Sequence, residues 1–435
     1  MDVEPAAGDA PPRRGGRWTF AALVLWVLAS DAWFQGPLLG GRVPPAVGAW
    51  LILALVVVVA VRTVRRASGA RSRTGAFVVT VAGMLLLATL VRLPALMAPG
   101  SLISSDSAVA GIIAQELREG RRPAPIYAPG FPYEGTLKPH LTALLGAALP
   151  FAGTPLLYTL ASHLFFLGWI VAVMALARRV GGAAAAFGAG AFLAVSPRFL
   201  AAFSLNNVGQ YPEVNALGAA GLAVLAAGGG PLAAGFLLGL ALWQQLLAVY
   251  FVAVLALAVL STPEWRRPRW VAEALAGLVA GTYPIWVWNA ANGWATFDFF
   301  RRGGKNPLER LAGVPERLER TVVVSFPKMF GLTDLGTPGV LAVALGLLLP
   351  GLVVAMVWVR RRELVRARGR SAVFLAAGLF AVTVGMFVAS KFLRNELSRQ
   401  FSPIRPRPVV QRAIGDSSEG TLWATRRSAR MDRRG

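Results

Sequence analysis

The residues best suited to chemistry lie in one short stretch of the chain, from Ser101 to His140. Asp106 begins the amphipathic segment "SDSAVAGIIAQEL" (105–117), directly after an apolar run. A carboxylate within hydrogen-bond reach of a hydroxyl can act as a general base. A carboxylate at a helix N-cap can instead accept hydrogen bonds from the first amides of the helix. Both roles are open for Asp106 on this evidence.

The next segment, "RRPAPIYAPGFPYEGTLKPH" (121–140), gathers Tyr133, Glu134, Lys138 and His140. Its five prolines and three aromatic residues predict a rigid, irregular loop. Irregular backbone at a membrane usually packs on protein or lines a cavity. These polar residues are therefore candidates for substrate binding, and the alternative for each is a solvated charge at the membrane interface.

The elements that must position these residues are apolar helices. The 435-residue chain is 55% hydrophobic and 15% charged, whereas a soluble protein carries about 25% charge. Repeated apolar runs, each long enough to cross about 30 Å of hydrocarbon, predict an all-α, polytopic membrane protein with about 10–11 transmembrane helices. The chain has no cysteine, which excludes disulfides and cysteine metal sites, and it has no phosphate-binding loop motif of an ATP-driven pump.

The apolar runs divide the chain into four parts. These are a disordered cytoplasmic N-terminus (1–17), two additional spans with a basic loop (18–74), a transmembrane core (75–390) and a basic tail (391–435). The predicted spans are 18–35, 45–63, 75–97, 155–177, 183–200, 214–228, 231–246, 247–261, 270–290, 337–359 and 371–390. The glycine pairs in "GFLLG" (235–239) and "GLVAG" (277–281) predict close approach of helix backbones.

The net charge of +23 sets orientation rather than nucleic-acid binding, because most basic residues lie in short loops between apolar runs. With the basic loops placed in the cytoplasm, the loops 98–137 and 291–336 lie outside. The turn "SLNNVGQYPEVN" (204–215) is then outside too, and the short run 138–151 is a helix in the outer interface. Asn206, Tyr211 and Glu213 of this turn suit a sugar, although they also suit an ordinary polar turn.

Four motifs in order resemble those of one enzyme superfamily. "SDSAV" with the following "G" and "IA", "P…YEGTL", "GLALWQQLLAVYF" (239–251) and "YPIWVWNAANGWATF" (283–297) are similar to motifs of the GT-C glycosyltransferases. Among these, the chain resembles bacterial relatives of the protein O-mannosyltransferases and the aminoarabinose–lipid A transferases. The resemblance covers roughly residues 75–300 and implies a GT-C-like helical bundle whose large first outer loop carries interfacial helices.

The resemblance also implies a function. Such enzymes are integral proteins of the cell membrane that transfer a sugar from a polyprenyl-phosphate donor to a hydroxyl acceptor at the outer face. Asp106 matches the position of the catalytic base. The donor phosphate needs cations, for which Arg121, Arg122, Lys138, Arg301, Arg302 and Lys305 are available. A divalent metal, magnesium or manganese, is possible because oxygen ligands suffice for it.

The chain departs from the family pattern at three places in this loop. Asp106 is followed by Ser107 where many relatives carry a second acid, Lys138 replaces a glutamate in "GTLK", and Pro129–Gly130 replaces a Tyr–Gly pair. A second carboxylate is therefore in doubt, with Glu134 as a substitute. Apart from a glycosyltransferase, a transporter or lipid flippase and a noncatalytic scaffold are the alternatives.

The tail does not continue the family's pattern. Residues 391–435 hold 11 basic and 4 acidic residues and no apolar span. Three interpretations are open: a disordered tail, a miscounted span, or an out-of-frame reading of GC-rich DNA. An apolar, aromatic-rich span encoded in another frame after codon 391 would identify the last of these.

Overall fold

The molecule is mostly helical. The computed structural model describes residues 16–34, 36–39, 42–44, 47–48, 51, 71–102, 105–121, 125–205, 210–302, 314–329, 331–332, 339–362 and 372–389. Its helices are α1 (Gly16–Trp33), α2 (Arg71–Met97), α3 (Ser105–Arg118), α4 (Leu137–Ala148), α5 (Thr154–Ala194), α6 (Arg198–Leu205), α7 (Tyr211–Ala226), α8 (Pro231–Gln244), α9 (Val249–Ser261), α10 (Pro268–Gly281), α11 (Tyr283–Ala291), α12 (Ala295–Arg302), α13 (Val314–Arg320), α14 (Phe326–Met329), α15 (Gly339–Val359) and α16 (Ala372–Ala389). Two short antiparallel strands, β1 (Tyr127–Ala128) and β2 (Phe131–Gly135), form a hairpin.

Three stretches of helix are long and apolar enough to cross a membrane: Gly75–Met97, Thr154–Ala194 and Gly339–Val359. Helices α10 and α11, bent by 55° at Thr282, make a fourth if they count as one span. Four shorter apolar helices lie among them. The prediction of a mostly helical chain with apolar helices that could cross a membrane is confirmed. The number of 10–11 spans stays a prediction.

Helix α5 reverses direction inside its 41 residues. Gly181 and Gly182 leave the helical conformation, and Gly182 has φ of 73°, which glycine adopts without strain. In an unbroken helix, Met174 and Gly190 would lie about 24 Å apart. A Cβ on Gly190 would instead lie 2.7 Å from Met174 Sδ, so the two halves pack antiparallel. The segments 155–177 and 183–200 are therefore separate helical arms, as the sequence predicts.

The two predicted glycine pairs pack against each other. A Cβ on Gly235 would lie 2.1 Å from the Ala274 carbonyl oxygen, and one on Gly277 would lie 2.1 Å from the Leu232 carbonyl oxygen. Gly239 and Gly281 also approach each other's backbones. Helices α8 and α10 thus touch along their backbones, and this close pairing confirms the expectation drawn from the glycine spacing.

Arg92 joins the C-terminal part of α2 to the end of α5 and to α6. Its guanidinium is buried and donates five hydrogen bonds, to the hydroxyls of Ser196 and Ser204 and to the carbonyl oxygens of Ala88, Leu193 and Ala194, at 2.6–3.2 Å. It also lies 4.1 Å from the centre of the Phe166 ring. Every guanidinium N–H group has a partner, so this buried cation is a structural clamp.

The first and second predicted N-terminal spans have different outcomes. Helix α1 agrees with the span 18–35 and packs into the bundle, where Trp26 Nε1 donates to the Ala280 carbonyl oxygen at 2.9 Å. The span 45–63 is described only at residues 47–48 and 51, and the tail 391–435 lies outside the described residues.

Candidate functional site

The β1–β2 hairpin is attached to the end of α8. Gly135 packs so closely that a Cβ there would lie 2.5 Å from the Trp243 carbonyl oxygen. Trp243 Nε1 donates to the Ile126 carbonyl oxygen at 3.2 Å. The loop that the sequence predicts to be irregular is therefore an ordered hairpin, and glycine is required where its second strand meets the helix.

Helix α8 ends in a break that pairs with the same hairpin. Gln245 is extended, with φ of −160° and ψ of 136°, and forms an antiparallel bridge with Glu134. The side-chain oxygen of Gln244 accepts a hydrogen bond from the backbone N–H of Leu137 at 3.2 Å. The polar pair Gln244–Gln245 thus lies beside Glu134, in contact with the first residue of α4.

The segment 291–302 reaches the hairpin from another side. The Thr296 hydroxyl donates to the Pro132 carbonyl oxygen at 2.6 Å, and Asn289 holds Thr296 through its side-chain amide. The rings of Tyr133 and Phe299 lie 4.9 Å apart. Tyr133, a predicted substrate-binding residue, therefore packs from the hairpin against α12.

A buried ion pair lies behind the hairpin. Lys138 Nζ, on the first turn of α4, is 2.8 Å from Glu213 Oε1, on the first turn of α7, and both side chains have no exposed surface. The ammonium also lies 5.2 Å from the centre of the Tyr158 ring. The carboxylates of Glu213 and Glu134 are both close enough to the Tyr158 hydroxyl to interact with it electrostatically.

Several buried polar atoms in this region have no hydrogen-bond partner among the described residues. Apart from its ion pair, Glu213 has none for either carboxylate oxygen, and the same holds for Lys138 Nζ. The other atoms of this kind near the hairpin are His140 Nε2, Tyr158 Oη, Gln210 Oε1, Gln244 Nε2 and Gln245 Oε1. Buried polar groups are normally paired, so this concentration indicates a place for water or a ligand. We call Glu134, Lys138, Tyr158, Glu213, Gln244 and Gln245 the polar cluster.

His140 borders the polar cluster and contacts the N-terminal helix. Its Nδ1 lies 2.6 Å from the Thr136 carbonyl oxygen, so Nδ1 carries the proton that is donated. Its ring meets the rings of Trp33 and Phe34 edge to face, at 4.5 and 5.6 Å. Burial lowers the pKa of His140 from 6.5 to about 4, which leaves the imidazole neutral at pH 7 with Nε2 as an acceptor.

Asp106 lies in the first turn of α3, which contacts α4, α5 and β1. The helix begins at Ser105, one residue before Asp106, whose side chain lies outside the described residues. The role of Asp106 as an N-cap therefore stays a prediction. In the same helix, Ile112 is 56% exposed while Ile113 is buried. The buried stripe includes Ser107, Ala110, Ile113 and Ala114, because α3 packs on protein along this side.

The other predicted site residues have mixed outcomes. Arg121, predicted to bind the donor phosphate, is exposed and forms an ion pair with Glu119. Tyr211 is partly buried and packs its ring on Phe203, 4.9 Å away. Asn206, Arg122 and Lys305 lie outside the described residues. The side chain of Arg302 is not described either. Arg301 is exposed and pairs with Asp298 at 3.0 Å.

Sequence reasoning missed Tyr158, Gln244 and Gln245 of the polar cluster, and it also missed the buried Asp31. Tyr158 lies in an apolar helix where nothing in the pattern distinguishes it, and only the antiparallel packing brings it to Lys138. Asp31, near the end of α1, is fully buried and accepts a hydrogen bond from the Tyr283 hydroxyl at 2.8 Å. A carboxylate inside an apolar run was the available signal for Asp31.

The described part of the chain contains no group of three His, Asp or Glu side chains that are close enough to hold a metal. Comparison of the chain with family models, curated proteins and solved structures found no match.

Proposed function

We propose that the protein is an integral membrane glycosyltransferase that moves a sugar from a polyprenyl-phosphate donor to a hydroxyl acceptor at the outer face of the cell membrane. The observation that carries the proposal is the polar cluster itself. Segments far apart in the chain, all assigned to the outer side by the positive-inside rule, meet there: the hairpin with α4, the start of α7, the α8–α9 break and the segment that begins α12.

The contacts support the same-side assignment of these segments. Lys138 pairs with Glu213, Glu134 bridges Gln245, and Thr296 bonds to Pro132. A wrong count of spans between any two of these segments would place them at opposite ends of the bundle. The proposed topology of about 10–11 spans with an outer active loop is therefore consistent with three independent contacts.

The proposed reaction needs a base, a cation and a site for the sugar. The acceptor hydroxyl oxygen forms a bond to the anomeric carbon while the bond from that carbon to the phosphate oxygen breaks. The hydroxyl proton passes to Asp106, and the electron pair remains on the leaving lipid phosphate. Lys138 has N–H groups beyond the one facing Glu213, so its ammonium can stabilise the charge that develops on the phosphate.

Transfer from a lipid-linked sugar tests this proposal. Membranes containing wild type or Asp106→Asn are supplied with polyprenyl-phosphate sugars and acceptor lipids or peptides, with Asp298→Asn as a matched surface control. We expect Asp106→Asn to lower the rate by at least about a hundredfold, as for loss of a general base, while Asp298→Asn keeps it. Full activity of Asp106→Asn rejects the role of Asp106, and no transfer by wild type with any donor rejects the function.

A transporter or lipid flippase is the alternative that one observation favours. Arg92 and His163 are buried in helices that cross the bilayer, where ionisable residues commonly mark a transport pathway. The five hydrogen bonds of Arg92, however, leave it no free donor for a passing ion. Movement of labelled lipid across proteoliposomes by both wild type and Asp106→Asn would favour transport over transfer.

A further inference from the structure

The break between α8 and α9 has the features of a ligand site. The chain leaves α8 after Gln244, passes through extended Gln245 and a 3₁₀ turn at Leu246–Ala248, and enters α9 at Val249. Non-helical backbone at membrane depth is tolerated where it packs on protein or lines a cavity. Here the backbone itself is paired, since Gln245 N–H donates to the Ala241 carbonyl oxygen at 3.1 Å. The side chains are what remain unpaired.

Two neighbouring amides at the break present complementary groups. Gln244 is completely buried. Its Oε1 accepts the hydrogen bond from Leu137 N–H, which identifies the other amide atom, Nε2, as a donor that does not face Leu137. That Nε2 has no partner among the described residues. Gln245 is only 7% exposed, and its Oε1 is an acceptor that also lacks a described partner. One buried donor and one buried acceptor therefore occur on consecutive residues.

Both amides lie along the end of β2. A Cβ on Gly135 would lie 2.9 Å from Gln244 Nε2, and Gln245 is the bridge partner of Glu134. A buried donor and a buried acceptor on consecutive residues suit a neutral ligand with several hydroxyl groups, each of which donates and accepts at once. An inorganic cation would leave the donor Gln244 Nε2 unpaired, and an inorganic anion would leave the acceptor Gln245 Oε1 unpaired.

We propose that the α8–α9 break binds the ring of a neutral sugar, with Gln244 Nε2 donating to one ring hydroxyl and Gln245 Oε1 accepting from another. This inference rests on the proposed function and names the part of the site that recognises the sugar. The sugar can belong to the lipid-linked donor or to the acceptor, and the two sources offer the same ring chemistry. Specificity follows because a ligand that lacks these hydroxyls leaves both buried amides unpaired.

The test compares lipids with and without the sugar. The full-length chain in nanodiscs is titrated with farnesyl phosphate, with farnesyl-phosphate hexoses and with methyl hexosides that represent an acceptor. Variants Gln244→Met and Gln245→Met remove one amide each. Gln115→Met is the matched control, because Gln115 lies exposed on α3 and its side-chain amide donates to the carboxylate of Glu119, just past the end of that helix. The measured quantity is the ratio of affinities for sugar-bearing and sugar-free lipid, which misfolded protein does not change.

We expect each amide variant to lower this ratio by roughly tenfold or more, as for a buried hydrogen bond that loses one partner. Gln115→Met should leave the ratio at the wild-type value. Gln244→Glu keeps the acceptor for Leu137 N–H but lacks the donor, so it should behave as Gln244→Met does. A dependence seen with methyl hexosides, and absent with the lipid-linked hexoses, assigns the ring to the acceptor.

The sugar site would be overturned if neither amide variant changed the lipid ratio or the affinity for methyl hexosides. It would also be overturned if wild type bound sugar-bearing and sugar-free lipids equally and showed no affinity for methyl hexosides. These outcomes are separate from the transfer experiment. Sugar binding that depends on Gln244 and Gln245 in a protein without transfer activity retains the site and rejects the enzyme. Transfer by wild type, with lipid ratios and methyl-hexoside affinities unchanged in the variants, retains the enzyme and rejects the site.

Discussion

The Lys138–Glu213 ion pair predicts a large and asymmetric response to mutation. Both side chains are fully buried at 2.8 Å, and neither charge has another hydrogen bond among the described residues. Lys138→Met or Glu213→Met alone leaves the other charge buried without its counterion. The double variant removes both charges and replaces them with apolar side chains of similar length, so no buried charge is left behind.

The size of the effect follows from the geometry. With an effective dielectric constant of about 20, Coulomb's law gives about 6 kcal/mol of attraction at 2.8 Å. The cost of removing both charges from water offsets much of this attraction. We therefore expect each single variant to lose about 3–5 kcal/mol of unfolding free energy and the double variant to lie within about 2 kcal/mol of wild type.

Equilibrium unfolding in mixed micelles with sodium dodecyl sulfate, followed by far-ultraviolet circular dichroism, measures these differences as a double-mutant cycle. The exposed pair Arg269–Glu273, in which Arg269 Nε lies 3.0 Å from Glu273 Oε1, is the matched control. Replacing it with methionines should give a coupling below about 0.5 kcal/mol. If the Lys138–Glu213 coupling is equally small, the buried pair does not form in the folded protein. A stable double variant that no longer transfers sugar would further separate the role of the Lys138 charge in the reaction from its role in folding.

Three other changes test different parts of the fold. Gly235→Ala should destabilise the protein by several kcal/mol, because its Cβ would meet the Ala274 carbonyl oxygen at 2.1 Å, whereas Gly188→Ala, with nothing within 4 Å, should be neutral or stabilising in the same unfolding assay. Arg92→Lys should lower the thermal midpoint although it keeps the charge, because an ammonium cannot replace five guanidinium hydrogen bonds, and an unchanged midpoint contradicts the clamp. The pKa of His140 is about 4 in the folded protein and 6.5 in the unfolded chain, so the unfolded chain binds more protons between these pH values. The free energy of unfolding should therefore fall by up to about 3 kcal/mol as the pH drops from 6.5 to 4. His140→Gln should remove this part of the pH dependence, and identical pH profiles of wild type and variant would count against a neutral buried imidazole.

Much of the helical fold was predictable because hydrophobic run length and glycine spacing are properties of local sequence. The spans 231–246 and 337–359 agree with α8 and α15 to within a few residues. The glycine pairs of α8 and α10 pack as their spacing indicates, since only glycine allows two backbones to come so close. The reversal in α5 was visible as a Gly–Gly pair between two apolar runs.

Half of the polar cluster was predicted from the sequence, and its arrangement was not. Lys138 and Glu213 were both candidates because they are charged residues next to apolar helices. Nothing in their spacing, however, indicates that they pair with each other and lose all contact with solvent. The side of α3 that packs on α4 and α5 was likewise not predictable, because hydrophobic periodicity alone does not reveal which side a protein neighbour covers.

Hydrogen-bond completeness distinguishes two buried cations of this protein, Arg92 and Lys138. Arg92 and Lys138 have equal charge and nearly equal burial, but the donors of Arg92 are all used within the fold, and those of Lys138 are not. A fully paired cation adds rigidity and has nothing to offer a ligand. An ammonium with one counterion and unused N–H groups retains its capacity to bind, at a cost in stability that a purely structural residue would not need. The same reasoning applies to Gln244, whose oxygen holds Leu137 while its nitrogen stays unpaired beside Gly135. Unused polar capacity is thus concentrated around the hairpin, which is where we expect the substrate to bind.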